Sequence, residues 1–122
     1  MRSILIVEDS STVREMVTFV LKDERLKIVE AEDGLEALDL AKKQNFDLVI
    51  TDHNMPNMKG IDLAIALRNM ESYKETPILM LTTESDPRLK KVGKDTGITG
   101  WILKPLSPQR FKPAIEKLLD IA

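Results

Sequence analysis

Leu48-Val49-Ile50-Thr51-Asp52 is an apolar run that ends abruptly in a carboxylate. Three other runs end in the same manner. Ile4-Leu5-Ile6-Val7 gives way to Glu8-Asp9, Ile78-Leu79-Met80-Leu81 to Thr82, and Trp101-Ile102-Leu103 to Lys104. Short, continuous aliphatic runs of this kind suit strands buried on both faces, as in a parallel sheet. Laid side by side and parallel, these strands share one carboxyl edge. That edge collects three carboxylates, a hydroxyl and an ammonium around Asp52.

Helical patterns lie between the runs. Ser10 or Ser11 is placed to cap a helix whose Val13, Met16, Val17, Val20 and Leu21 recur at helical spacing. Lys27-Ile28-Val29-Glu30-Ala31 reads as a less apolar strand at a sheet edge. Asp33-Gly34 reads as a turn, and Leu35, Leu38 and Ala41 mark a second helix. Asp52 to Gly60 contains Pro56 and is a loop. Ile61, Ala64 and Leu67 open a third helix that fades at Ser72-Tyr73-Lys74. Pro87 and Gly97 bracket a fourth. Its large apolar residues are chiefly Leu89 and Val92, which predicts a loose attachment. Ser107-Pro108 starts a fifth helix with a stripe of Phe111, Ile115, Leu118 and Leu119. Pro113 inside it removes a hydrogen bond at a cost of about 3 kcal/mol, so a kink or a tight turn before the regular helix is expected.

Strand and helix thus alternate five times. The pattern predicts an α/β fold, a doubly wound five-stranded parallel sheet of flavodoxin-like (βα)5 type with right-handed crossovers. For strand order 2-1-3-4-5, ligands bind between the first and third strands, which deliver Glu8-Asp9 and Asp52.

Composition sets the outer limits. The 122 residues suggest a single domain spanning 1–122, and 43% hydrophobic with 31% charged residues is ordinary for a globular chain. No apolar stretch approaches the roughly 18 residues of a membrane span. The chain has no cysteine, which removes disulfides and thiolate metal sites and fits a cytoplasmic setting. A net charge of -2 gives no support to nucleic-acid binding.

Clustered carboxylates repel one another unless one takes a proton or a cation sits among them. Oxygen donors suit Mg²⁺, not zinc or copper. A carboxylate beside Mg²⁺ can attack phosphorus, with Lys104 neutralising one phosphoryl oxygen and Thr82 hydrogen-bonding another. Each residue alone has a plainer explanation. A lone Asp at a strand end is usually a cap or turn residue, and Glu8-Asp9 could simply favour the next helix N-terminus through its dipole. Four of five strands ending in groups that serve one reaction favour a phosphoacceptor site.

On these motifs, Ile4-Leu5-Ile6-Val7-Glu8-Asp9-Ser10, Asp52-His53-Asn54-Met55-Pro56, Leu81-Thr82 and Lys104-Pro105, the chain resembles the receiver domains of two-component response regulators. Within them it is most similar to the single-domain chemotaxis, CheY-like type. The resemblance covers essentially the whole length. It implies that Asp52 is the phosphoacceptor, served by a sensor histidine kinase and Mg²⁺. It implies Asp9, Asp52 and the backbone carbonyl of Asn54 as direct metal ligands, with Glu8 acting through water. Thr82 and Lys104 contact the phosphoryl group, and the Lys104-Pro105 bond is cis. Asn54 and Glu84 tune phosphoryl lifetime. Trp101 stands at the switch position, usually Tyr or Phe, and acts with Thr82. A downstream protein then reads the face of the fourth helix, fifth strand and fifth helix, and a monomer is expected. His53, the only histidine, is read as a pocket-rim residue, and Met16, Met55, Met58, Met70 and Met80 as packing.

Two other functions share part of this pattern. Haloacid-dehalogenase-type phosphatases also use an Asp nucleophile with Mg²⁺, but want a second Asp where Asn54 stands, and Asn54 cannot transfer the proton. A receiver domain from a longer regulator with a DNA-binding or other output domain would carry the same motifs.

Overall fold

The computed structural model describes residues 1–83 and 87–121, with the backbone alone at Arg88. The strands are β1 (Arg2–Val7), β2 (Leu26–Ala31), β3 (Leu48–Asp52), β4 (Ile78–Thr82) and β5 (Gly100–Leu103). They pair in parallel in the order β2-β1-β3-β4-β5, as the pattern predicts. The helices are α1 (Ser11–Leu21), α2 (Gly34–Lys43), α3 (Gly60–Arg68), α4 (Pro87–Thr96) and α5 (Pro108–Leu119), with a 3-10 turn at Glu71–Tyr73.

Strand alternation divides the core between the two faces of the sheet. Ile4 and Ile6 of β1 point to one side, with Val17 and Leu21 of α1 and Phe111, Ile115 and Leu119 of α5. Leu5 and Val7 point to the other, with Ala37 and Ala41 of α2 and Leu63, Ala64 and Leu67 of α3. Each fully buried aliphatic side chain contributes about 1.5–3 kcal/mol relative to exposure. β3 and β4 are the enclosed strands, buried at every position from Leu48 to Asp52 and from Ile78 to Thr82. β2 lies at an edge, as its mixed composition implies.

Four expectations need correction. Asp33 is a helix N-cap, not part of a turn: its carboxylate accepts from the Glu36 N–H at 2.8 Å, and Gly34 is already helical. Met16, Leu35 and Leu118 are 44%, 52% and 37% exposed. In each case the buried seam is narrower than the apolar stripe. Residues four apart define it, Val17 and Leu21 in α1, Ala37 and Ala41 in α2, and Phe111, Ile115 and Leu119 in α5. Met16 and Leu118 each stand one residue from that seam, about 100° around the helix. Pro113 lies inside one uninterrupted helix, and no tight turn precedes it. Pro113 and Gln109, whose carbonyl loses its partner, are both exposed, so water can serve that carbonyl. Finally, His53 is buried, not at an open rim.

Polar side chains hold the connections opposite the carboxyl edge. The hydroxyl of Tyr73, fully buried, lies 2.7 Å from the Gln44 carbonyl and 3.0 Å from that of Ala41. It also accepts from the Phe46 N–H. Arg68 donates to the carbonyls of Tyr73, Thr76 and Gly97, tying the end of α3 to the end of α4.

Candidate functional site

Parallel register sets the chemistry in one line. Val7 pairs with Thr51, Asp52 with Leu81, and Thr82 with Leu103, so residues 8, 52, 82 and 104 meet at the carboxyl edge. The Lys104 ammonium lies 3.0 Å from Glu8 Oε2 and 3.1 Å from Asp52 Oδ1. Glu8, Asp52 and Thr82 are almost wholly buried, whereas Asp9 is exposed beside them. One oxygen from each of Glu8, Asp9 and Asp52 falls within 4.8 Å of the others.

Local backbone geometry holds these carboxylates. The Ser10 N–H donates to Glu8 Oε1 at 3.2 Å, and the Ser10 hydroxyl accepts from the Val13 N–H to start α1. The His53 N–H donates to Asp52 Oδ1 at 2.9 Å. Asn54 is exposed in the loop that follows. Asn57 takes φ 70°, a conformation Asn tolerates better than most, and its amide donates to Asp33 Oδ2 at 3.0 Å. The loop closes where the Gly60 N–H meets the His53 carbonyl. Lys104–Pro105 is cis, as the resemblance implies.

Trp101 is half-buried and lies against Gly93 of α4, while Lys104 turns to the carboxylates. Glu84 lies outside the described residues. His53 Nδ1 is buried without a hydrogen-bond partner among the described residues. One step along the strand direction turns His53 to the other face from Asp52.

Two residues at the site escaped the sequence pattern. Arg14 donates from Nη1 to the Glu8 carbonyl at 2.7 Å and from Nε to Glu30 at 3.3 Å, bracing the turn that carries Asp9. Its place one turn after the Ser10 cap is the available signal, since such a side chain leans back over the helix start. Gly60, in the stretch whose pattern predicts a loop, is the second. It starts α3 directly against the Asp52 backbone, and nothing local in sequence shows that contact.

Burial pushes the Glu8 carboxyl up, only partly offset by hydrogen bonds from Lys104 and the Ser10 N–H, and the Asp52 charge adds to the rise. Burial pulls Lys104 down, but its bonds to Glu8 and Asp52 outweigh this and raise it. The folded state therefore binds the Glu8 proton more tightly than the unfolded chain. Stability falls as pH rises from the ordinary glutamate range through the raised value. The gain from Lys104 is lost only above the ordinary lysine range, so it does not cancel this slope. The all-oxygen donor set fits Mg²⁺. Without metal, Glu8→Gln is expected to flatten that part of the pH profile and raise the thermal midpoint at pH 7. Asp9→Ala is expected to raise the metal-free midpoint and to weaken stabilisation by Mg²⁺. Thermal melts across pH, with and without Mg²⁺, check both. An unchanged Mg²⁺ response in Asp9→Ala would put the metal site elsewhere.

The chain matches the family model described as the response regulator receiver domain over residues 4–116. It is 41% identical over 118 residues to chemotaxis protein CheY-3 of Vibrio cholerae, covering 96% of this chain and 91% of that one. It is 40% identical to chemotaxis protein CheY of Pseudomonas aeruginosa, covering 96% and 95%. The chain belongs to the response regulator receiver domain family. The solved structure of Vibrio cholerae chemotaxis protein CheY4 superposes with a TM-score of 0.91 at 43% identity, covering 97% of this chain and 98% of that one.

As a CheY-type receiver domain, the chain is a phosphorylation-dependent switch of two-component signalling. Receiver domains are phosphorylated by histidine kinases, act on downstream targets and bind Mg²⁺ at an acidic pocket. The Glu8, Asp9 and Asp52 cluster is compatible with such binding. No helix among the described residues is long and apolar enough to cross a membrane.

Proposed function

We propose that residues 1–122 act as a single receiver domain whose Asp52 takes a phosphoryl group from a sensor histidine kinase. The observation that carries this is the Lys104 ammonium bridging Asp52 and Glu8 beside Asp9. An Asp52 carboxylate oxygen attacks phosphorus, and the phosphorus–nitrogen bond of the phosphohistidine breaks. Its electron pair stays on the imidazole. Lys104 exchanges a carboxylate partner for a phosphoryl oxygen, and Thr82 hydrogen-bonds another. Asp9, Asp52 and the carbonyl of Asn54 would hold Mg²⁺, with Glu8 acting through water. Bound there, Mg²⁺ supplies charge neutralisation on the phosphoryl oxygens. The chemistry extends to the domain's own phosphorylation and dephosphorylation and to no other substrate.

The output face is α4, β5 and α5. A groove of ≈ 430 Å³ on this face is lined by Trp101, Leu103, Pro105, Arg110 and Phe111 among others. A downstream protein reads it when Thr82 and Trp101 shift. The CheY relatives, covered over 91% and 95% of their length and named as chemotaxis proteins, support a chemotaxis role.

Acetyl phosphate with Mg²⁺ should add one phosphoryl group, read by intact mass. Trp101, the only tryptophan, should then emit further to the blue and be quenched less by acrylamide. Thr82→Ala should accept the phosphoryl group yet lose most of this change. A protein that takes up no phosphoryl group would sink the proposal. Confirmed phosphorylation with unchanged emission would remove Trp101 from the mechanism. Asn54 and Glu84 are assigned to the tuning of phosphoryl lifetime. Asn54→Ala and Glu84→Ala should change the decay rate of the phosphorylated state without shifting the melting curve. Decay equal to the unsubstituted protein in both and in the double variant would count against that assignment.

A further inference from the structure

Gly93 begins the last turn of α4, inside the helix, where glycine is a poor helix former. Among the described side chains of α4 it is the one buried position; Leu89 and Thr96 are half-buried, and Val92 is exposed. A Cβ built on Gly93 would collide with Trp101 Cζ2 and come within 3.1 Å of Cη2 and 3.2 Å of Cε2. These atoms belong to the six-membered half of the indole. The ring therefore occupies the space where any other residue would place its side chain.

The last turn of α4 has further anchors. The Gly93 carbonyl accepts from the Ile98 N–H at 2.8 Å and the Thr96 hydroxyl at 3.0 Å. Arg68 holds the Gly97 carbonyl at 2.7 Å. Gly97 itself takes φ 88°. The start of the last turn of α4 thus rests on Trp101, and the residue after the helix is tied to α3. A turn of Trp101 about its Cα–Cβ bond to another staggered rotamer swings the ring away from Gly93.

We infer that Gly93 is a positioning residue, a seat for the Trp101 indole that couples the state of this side chain to the placement of α4. The inference rests on the switch proposed above. A smaller aromatic does not reach this seat as the fused ring does. The pairing of Trp at 101 with Gly at 93 is therefore a matched set. When Trp101 turns, the last turn of α4 loses this support, and the helix shifts about the Gly97 carbonyl held by Arg68.

The test combines stability with the switch signal. Gly93→Ala is expected to lower the thermal midpoint by several degrees in the Trp101 protein and to raise it in a Trp101→Ala background. There the methyl group meets no ring, and alanine is the better helix former. A rise in both backgrounds overturns the seat. In Gly93→Ala, phosphorylation of Asp52 by acetyl phosphate should proceed as in the unsubstituted protein. The beryllofluoride-induced change in Trp101 emission should shrink at least twofold. A full change in Gly93→Ala overturns the coupling alone. No change even in the unsubstituted protein overturns it together with the switch. Should Gly93→Ala fail to fold, Gly93→Ala with Trp101→Phe should fold, because the shorter ring leaves room for the methyl; continued failure of that pair overturns the seat.

Discussion

Asp52→Asn, incubated with acetyl phosphate and Mg²⁺, is expected to stay unlabelled while the unsubstituted protein gains one phosphoryl group. The substitution keeps the shape of a side chain that is 6% exposed at the end of a strand buried at every position. It removes the negative charge that makes the oxygen a nucleophile. Lys104 keeps its bond to Glu8 at 3.0 Å, so the ammonium remains in place. Loss of labelling with a retained melting transition therefore reports chemistry, not unfolding. Intact-mass measurement after a fixed incubation decides the matter. A variant labelled as fully as its parent would move the acceptor to another carboxylate, with exposed Asp9 the first to examine.

Gly60→Ala is expected to lower stability by about 3 kcal/mol, at the upper end for overpacking. A Cβ there would collide with the backbone carbonyl of Asp52, lie 2.5 Å from Met80 Sδ and 3.1 Å from His53 Cα. Two of these three neighbours are backbone atoms of the acceptor strand and its loop, which cannot swing aside as a flexible side chain does. The Gly60 N–H also closes that loop on the His53 carbonyl at 3.0 Å. Relief thus requires moving the start of α3 or the end of β3. A fall in melting midpoint of about 10 °C is the expected reading for a domain of this size. Labelling of Asp52 should slow in proportion to the displacement of its carboxylate. A midpoint within about 2 °C of the parent would show that α3 yields easily and that the close approach is not needed.

Most of the site was legible because its parts sit at strand ends. Asp52, Thr82 and Lys104 each follow an apolar run, and parallel pairing brings such ends together whatever the details of packing. Glu8 and Asp9 were found by the same rule, but which of them is buried was not. Glu8 is enclosed and paired with Lys104, while Asp9 stays exposed, a difference of one position on the β1–α1 turn. Helix faces were less legible. Met16, Leu35 and Leu118 fit the apolar spacing yet lie outside the narrow seam that each helix buries. His53 looked like a rim residue from its place beside Asp52 and is buried.

By itself the sequence determined the alternation of strands and helices, the carboxyl edge as the place of chemistry, and the residue types available there. These follow from local periodicity, from the limited ways a parallel sheet can be wound, and from the charges of a few side chains. Tertiary structure alone decided how Lys104 divides itself between Glu8 and Asp52, that Arg14 braces the Glu8 carbonyl, and that Gly60 and Gly93 are spaces filled by other parts of the chain. Such features are fixed by contacts between residues far apart in sequence, where a few tenths of an ångström separate a fit from a collision. No local pattern of polarity or spacing carries distances of that kind.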